Sequence, residues 1–255
     1  MPETDSTRDC PTWKLWLREI AEVWDGGMSR LVPRLWIILG AIALGAVLVL
    51  TVSPTDVYLQ QKVRMDNNPS ADTVASFLSR YGDLNVGSPL AALIWLAGAL
   101  RNKVRWRKLG LACLMAGLIA GLIVNIFRTT TGRPRPYAEQ PFTDVVDRFY
   151  GPKWSPDYQS YPSGHATSSS ATGMSLGGAV PALAIPGALY AVSVSWSRVQ
   201  LDKHHPIDVA VGAVIGTTVG LCFASTVPGA WICLRQRKKK DQAEFTRKHS
   251  DNAES

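Results

Sequence analysis

The sequence predicts an all-α membrane protein: a six-transmembrane-helix bundle with amphipathic interfacial helices. The prediction comes from long apolar segments, from positive charge concentrated beside some of them, and from helical periodicity in two polar stretches. Residues 35–52 run for 18 positions without a charge, the length that a spanning helix requires. Five further apolar segments cover residues 86–100, 109–127, 166–180, 182–196 and 209–234.

The fourth and fifth segments contain many Gly, Ala and Ser residues. Small side chains let helix backbones approach closely, so this composition is typical of the interior of a membrane bundle. The alternative, buried helices of a soluble protein, is disfavoured by the lengths of the segments.

Basic residues indicate the orientation of the bundle. They flank the first segment, fill the link between the second and third, and begin the tail: Arg30, Arg34, Arg101, Lys103, Arg105, Arg107, Lys108, Arg235, Arg237, Lys238, Lys239 and Lys240. By the positive-inside rule these regions are cytoplasmic, and six crossings then place both termini in the cytoplasm. We therefore interpret the net charge of +7 as a topology signal, not as a sign of nucleic-acid binding.

The chain divides into three regions. Residues 1–34 form a cytoplasmic amphipathic leader, residues 35–234 the membrane domain, and residues 235–255 a basic tail with the composition of a disordered segment. Residues 12–24 place apolar side chains at helical spacing, which fits a helix on the cytoplasmic membrane face or one packed under the bundle. No cleavable signal peptide is apparent, and no cysteine falls outside, so we expect no disulfide framework.

Two outer loops are predicted, at residues 53–85 and 137–161. In the first, Val74, Phe77, Leu78 and Tyr81 follow helical spacing after Ser70, which could cap a short helix on the outer surface. The second loop is rich in aromatic residues, which usually mark the headgroup level.

Three short clusters carry the chemistry, and each lies at the end of an apolar segment. The clusters are Arg128-x6-Arg135-Pro136, Pro162-Ser163-Gly164-His165 and Ser197-Arg198-x5-His204-x3-Asp208. The topology derived from the basic residues places all three on the outer side of the membrane. We therefore expect a single outward-facing site.

The first two clusters are suited to binding phosphate. The planar guanidinium groups of Arg128 and Arg135 match phosphate oxygens, whereas Arg133 between them fits either phosphate binding or a topology-setting role. Ser163 and Gly164 precede a helix whose free N–H groups form an anion site, although Ser163 could serve only as its N-cap. His165 can act as a general acid, because imidazole titrates near neutral pH.

The third cluster provides a nucleophile. Arg198 adds a further phosphate ligand, and His204 and Asp208 lie four residues apart, about one helical turn. A carboxylate on one imidazole nitrogen would leave the other free to attack phosphorus. Pro206 is tolerated in the first turn of a helix, so a helix should begin there. For the neighbouring His205 we expect a structural or solvated role.

With these spacings the chain resembles the type 2 phosphatidic acid phosphatase family, integral-membrane lipid phosphatases that share a core with the vanadium haloperoxidases. The family pattern is Lys-x6-Arg-Pro, Pro-Ser-Gly-His and Ser-Arg-x5-His-x3-Asp. The second and third motifs match at every defined position, and in the first Arg128 stands where the family usually has Lys. Because the planar guanidinium of Arg128 replaces the compact ammonium of a lysine, we expect the geometry of phosphate binding at this position to differ from that of the family.

The resemblance implies a role for each site residue. His204 would attack phosphorus, Asp208 would orient it, and His165 would protonate the leaving oxygen and then activate water. The phosphate ligands would be Arg128, Arg135, Ser163, Gly164 and Arg198. Because the arginines take the place of a metal ion, the resemblance implies neither a metal nor another cofactor.

The sequence thus predicts a lipid phosphatase acting on a lipid phosphate or pyrophosphate through a phosphohistidine, at the periplasmic face of a bacterial inner membrane. The family suggests undecaprenyl pyrophosphate, phosphatidylglycerophosphate, phosphatidate or the 1-phosphate of lipid A as substrate. One alternative is a lipid-to-lipid phosphotransferase of the same fold. Another is a non-catalytic binder or transporter of anionic lipid, against which His165 and His204 argue, since binding alone needs no proton shuttle.

Overall fold

The computed structural model describes residues 12–82, 84–138 and 149–232, and within these ranges it contains helices and connecting turns but no strand. The predicted all-α class is therefore confirmed. The helices are α1 (Thr12–Leu31), α2 (Leu35–Val63), α3 (Pro69–Tyr81), α4 (Leu84–Leu100), α5 (Val104–Thr131), α6 (Gly164–Ala179), α7 (Ala184–Gln200) and α8 (Pro206–Ala224). The predicted basic tail lies outside the described residues.

The number of membrane crossings is supported only in part. Three helical stretches are long and apolar enough to span a bilayer: Trp13–Val52, Val104–Ala138 and Pro206–Ala224. A fourth is possible if Pro69–Tyr81 and Val86–Leu100, which are bent by 52° relative to each other, form one span. Helices α6 and α7 have 16 and 17 residues, shorter than an ordinary spanning helix. Six crossings therefore remain a prediction.

Helix α2 continues well beyond its predicted end, so the first outer loop does not begin at residue 53. The helix kinks at Val52, where φ is −124° and ψ is 24°, and then runs on to Val63. Pro54 has no N–H to donate to the carbonyl four residues earlier, which accounts for a kink at this point. The extension carries Asp56 to the end of the bundle that holds the three clusters.

The predicted short helix is confirmed as α3, but its cap is not Ser70. The Asn68 side chain accepts a hydrogen bond from the Ala71 N–H at 3.1 Å, and Pro69 occupies the first helical position. The helix buries its small residues, including Ser79, and leaves Phe77 and Tyr81 exposed. Its predicted apolar face thus points away from the bundle.

Helix α1 packs against the bundle, which is one of the two alternatives for the leader. Glu19 on its buried face forms a two-pronged ion pair with Arg107 of α5, at 2.7 and 2.9 Å. Glu22 pairs with Lys108 at 2.6 Å. Trp13 and Leu17 remain exposed, whereas Val23 and Leu31 are buried in the hydrophobic core and the Trp16 ring contacts Trp95 of α4, so apolar and charged contacts together hold this helix to the bundle.

Helix α6 forms the core with α8, and the two are held close by three glycines. A Cβ atom on Gly212, Gly216 or Gly220 of α8 would lie 2.6, 2.2 or 2.5 Å from a backbone oxygen of α6. Any larger residue would force the helices apart, as expected for a small-residue membrane interface. This approach brings the N-termini of α6 and α8 together, where the Ser163 N–H donates to the Asp208 carbonyl at 3.0 Å.

Candidate active site

The three clusters come from the ends of four helices. Arg128 lies in the last turn of α5, and Arg133 and Arg135 follow it in the loop toward α6. Ser163, Gly164 and His165 form the N-terminus of α6, Arg198 lies in the last turn of α7, and His204 and Asp208 lie at the start of α8. Contacts between these ends, described below, bring the predicted residues to one end of the bundle.

His204 has a defined tautomer. Its Nδ1 lies 2.8 Å from the Ser160 carbonyl oxygen, which can only accept a hydrogen bond. The proton of a neutral imidazole must therefore lie on Nδ1, and Nε2 keeps its lone pair. His204 is 2% exposed, so its neutral form is strongly favoured.

Asp208 does not hold His204 as the sequence predicted. Its Oδ2 is 3.8 Å from Nδ1 of His204, beyond hydrogen-bonding distance. Three closer donors occupy the carboxylate instead: Arg133 Nη1 on Oδ1, and the Ser160 hydroxyl and the His205 N–H on Oδ2. The carboxylate therefore orients His204 mainly through Ser160. It accepts a hydrogen bond from the Ser160 hydroxyl, and the Ser160 carbonyl accepts one from the His204 imidazole.

Arg133 lies at the centre of a buried ion network. Its side chain is fully buried and bridges Asp208 and Asp56, with 2.8 Å between Nη2 and Asp56 Oδ2. The second oxygen of Asp56 accepts the N–H of Ile207 in the first turn of α8 at 3.1 Å. A topology-setting role for Arg133 is thus wrong, because such a residue would reach toward water.

The remaining arginines place positive charge around His204. Burial, together with the charges of Arg135 and Arg198 and against the opposing charge of Asp208, lowers the pKa of His204 to about 3. Nε2 is therefore unprotonated at neutral pH. Arg198 is itself held in place, since its Nη1 donates to the Ser79 hydroxyl of α3.

The N-terminus of α6 offers donors to an anion. Ser163 is fully buried and occupies the N-cap position of α6, but its side chain makes no capping hydrogen bond. Within the described ranges, the Ser163 hydroxyl and Nε of Arg135 are buried without a hydrogen-bond partner. Buried polar atoms normally have partners, so these two indicate a bound polar group. A Cβ on Gly164 would lie 3.3 Å from Arg128 Nη1, so that guanidinium stands beside the helix N-terminus.

The two other histidines differ in exposure. His165 is partly exposed in the first turn of α6, where a proton can be exchanged with solvent or substrate. His205 is fully buried as the N-cap residue of α8, so a solvated role is wrong and a structural one is supported. Helix α8 begins at Pro206, as the sequence predicted.

Sequence reasoning missed Asp56, Ser160 and Ser79. A signal existed for Asp56, because an isolated carboxylate just after a long apolar segment is expensive in a membrane protein and usually has a partner. Ser160 and Ser79 carried no such signal, since serine is common in loops and helices alike.

The part of the chain that carries the candidate site matches a known protein family. Residues 108–232, which contain all eight predicted site residues, match the PAP2 superfamily. Decaprenylphosphoryl-5-phosphoribose phosphatase of Mycobacterium tuberculosis is 33% identical over 179 residues, or 68% of this chain and 88% of that protein. Undecaprenyl-diphosphatase of Sulfolobus acidocaldarius is 31% identical over 144 residues, or 56% of this chain and 64% of that protein.

The fold is shared with a solved membrane phosphatase. The crystal structure of a transmembrane PAP2-type phosphatidylglycerolphosphate phosphatase from Bacillus subtilis aligns with a TM-score of 0.57 at 20% identity, over 74% of this chain and 95% of that one. The family match, the extent of the mycobacterial similarity and the shared bundle lead to one conclusion: this chain belongs to the PAP2 superfamily.

Proposed function

We propose that this protein hydrolyses the phosphate ester or diphosphate of a membrane lipid through a phosphohistidine on His204. The proposal depends above all on one observation: His204 keeps Nε2 free because Nδ1 is held by the Ser160 carbonyl. A neutral imidazole with a free nitrogen beside two guanidinium groups is an activated nucleophile for a phosphate.

The phosphoryl group would be bound by the donors around His204. Arg128, Arg135, Arg198, the Ser163 hydroxyl and the Gly164 amide would hold its three equatorial oxygens while negative charge shifts to the leaving oxygen. The unpartnered Ser163 hydroxyl and Arg135 Nε support this assignment, since each needs an acceptor. Close packing of α6 against α8 fixes the Ser163 and Gly164 end of the site relative to His204.

The reaction would proceed in two displacements. Nε2 of His204 attacks phosphorus, the bond to the leaving oxygen breaks, and His165 gives that oxygen its proton. His165 then takes a proton from water, the hydroxide attacks phosphorus, and the N–P bond breaks to release phosphate and neutral His204. Asp208 would stabilise the positive charge that develops on the imidazole in the first step.

For the substrate we propose a polyprenyl-linked phosphate in preference to phosphatidylglycerophosphate, phosphatidate or lipid A 1-phosphate. The support is that the relatives described above, at 33% and 31% identity, are named for decaprenyl and undecaprenyl lipids. The mycobacterial name adds a class that the sequence did not suggest, a phosphosugar carried on a polyprenyl phosphate.

For the topology we propose six crossings of a bacterial inner membrane, with both termini in the cytoplasm and the site at the periplasmic face. The basic link between α4 and α5 supports this, since it lies at the end of α5 opposite Arg128.

Phosphate release by the purified protein tests the proposal. The substrates are undecaprenyl pyrophosphate, decaprenylphosphoryl-5-phosphoribose, phosphatidylglycerophosphate, phosphatidate and lipid A 1-phosphate, each with and without a chelator. We expect release from a polyprenyl lipid, unaffected by the chelator and abolished in His204→Ala, with a 32P-labelled phosphohistidine trapped in His165→Ala by denaturation at alkaline pH, where the N–P bond is stable. Turnover by His204→Ala would refute the nucleophile, and a phosphorylated second lipid without free phosphate would indicate a phosphotransferase.

A further inference from the structure

A second positively charged cavity lies at the opposite end of α8 from the candidate active site. This basic pocket has a volume of about 270 Å³ and lies between the start of α2 and the last two turns of α8. Arg30 and Arg34 line one side, and Thr217, Thr218 and Ser225 contribute hydroxyl groups. None of the family motifs reaches it.

The two arginines of the basic pocket lack a counter-charge. Arg30 Nη1 donates to the Gly26 carbonyl at 2.7 Å, and Arg34 Nη1 donates to the Arg30 carbonyl at 2.5 Å. In the part of the chain that the structure describes, neither forms an ion pair, and no carboxylate lines the pocket. Arg34 also contacts the Cys222 thiol, and the remaining N–H groups of the two guanidinium groups can donate to an anion.

Neighbouring basic residues show that this lack of pairing is selective. Arg107 and Lys108, which also contact α1, are each paired with a carboxylate, Glu19 and Glu22. A partly buried arginine pair without a carboxylate is costly unless an anion neutralises it.

An apolar groove adjoins the basic pocket and suggests what kind of anion it binds. The groove has a volume of about 410 Å³, lies between α6, α7 and α8, and is lined by side chains that include Met174, Trp196 and Ala213. Thr217 lines both cavities. Along α8 the residues Ala213, Thr217, Leu221 and Ser225 recur every four positions, so one face of the helix connects the groove to the arginines.

We propose that the basic pocket binds the phosphate of an anionic phospholipid from the leaflet opposite the candidate active site, with an acyl chain in the apolar groove. Basic pockets between membrane helices commonly bind lipid phosphates, and the adjoining groove favours a lipid over a free phosphate ion. The site is independent of the proposed hydrolysis, because Arg30 and Arg34 take no part in it.

Native mass spectrometry of the purified protein, titrated with phosphatidylglycerol or phosphatidylcholine, tests the proposal. We expect wild type to prefer phosphatidylglycerol, and Arg30→Gln/Arg34→Gln to bind it roughly 10- to 30-fold more weakly. The double variant Arg101→Gln/Lys103→Gln removes the same charge from exposed positions and should bind as wild type does. Phosphate release from a detergent-solubilised substrate should be unchanged in both.

Two further measurements distinguish the alternatives. Ala213→Phe fills the groove but keeps both arginines. It should weaken the binding of phosphatidylglycerol without changing the affinity for inorganic phosphate. If wild type binds both phospholipids equally, the proposal is wrong whether or not the arginine variant folds. Displacement of phosphatidylglycerol by an equal concentration of inorganic phosphate would assign the pocket to the free ion. If Arg30→Gln/Arg34→Gln binds lipid as tightly as wild type does, the proposal is wrong, and the arginines only complement the partial negative charge at the C-terminal end of α8.

Discussion

Arg133 and Arg135 are separated by a single proline, yet within the described residues Arg133 is paired with two carboxylates and Arg135 with none. Arg133 is fully buried between Asp56 and Asp208. Arg135 is partly exposed, lowers the pKa of His204 by its charge, and keeps a buried Nε without a partner in the described residues. The difference teaches that neutralisation decides an arginine's role here: a paired guanidinium holds the site together, and one without a carboxylate can receive a phosphate.

The largest expected effect is the loss of stability on removing Arg133. Arg133→Gln leaves two buried carboxylates without a cation, which should lower the free energy of unfolding by about 3–5 kcal/mol. Arg135→Gln, the matched control, should change it by less than about 1 kcal/mol. Thermal unfolding in detergent measures both, and equal losses in the two variants would remove the contrast.

Activity should show the reverse contrast. Arg135→Gln removes a donor that we propose binds the phosphate, so kcat/KM should fall roughly 10²- to 10³-fold while the protein stays folded. Arg198→Gln should behave similarly, whereas Ser79→Ala, which removes only the partner of Arg198, should cost less. A folded Arg135→Gln variant with wild-type kcat/KM would show that this arginine does not bind the transferred group.

A smaller effect is expected on the pH dependence of stability and of kcat/KM, to which the charge of Arg135 contributes. The pKa of His204 is lowered to about 3, so the stability that the neutral imidazole contributes is present above about 6.5 and is lost as the pH falls toward 3. Removing the charge of Arg135 should raise the pKa of His204 and shift the acid limb of kcat/KM to higher pH. The profile of wild type from below pH 3 up to pH 8, compared with that of Arg135→Gln, checks the direction; no shift would mean that the charge of Arg135 does not contribute to the pKa of His204.

The smallest expected effect is that of Arg128→Lys, which restores the usual residue of the family motif. The positive charge beside Gly164 is retained, so we expect kcat to change by only a few-fold. If the guanidinium of Arg128 donates a second hydrogen bond to the phosphate, KM should change more than kcat does. Arg128→Gln is the control that removes the charge and should cost far more. A large loss of kcat/KM in Arg128→Lys would mean that this enzyme depends on the planar guanidinium and not only on its charge.

Much of the architecture follows from local patterns in the sequence. The apolar segments predicted the helices, Pro206 predicted the start of α8, and the spacing of Val74, Phe77 and Tyr81 predicted α3. The ends were less well predicted: α2 continues to Val63 because a proline after an apolar run can kink a helix without ending it. The cap of α3 moved to Asn68 because Pro69 is itself suited to the first helical position.

The sequence by itself determined which residues could do the chemistry, because residue type and spacing define phosphate ligands and a histidine nucleophile. Only the tertiary structure decided how they are held. Asp208 reaches Arg133, Ser160 and His205 more closely than His204, and Asp56 and Ser79 arrive from helices far away in the sequence. No local pattern encodes such partners, since buried charges and polar groups are satisfied by whichever donors the packing of α2, α3 and α8 brings within reach.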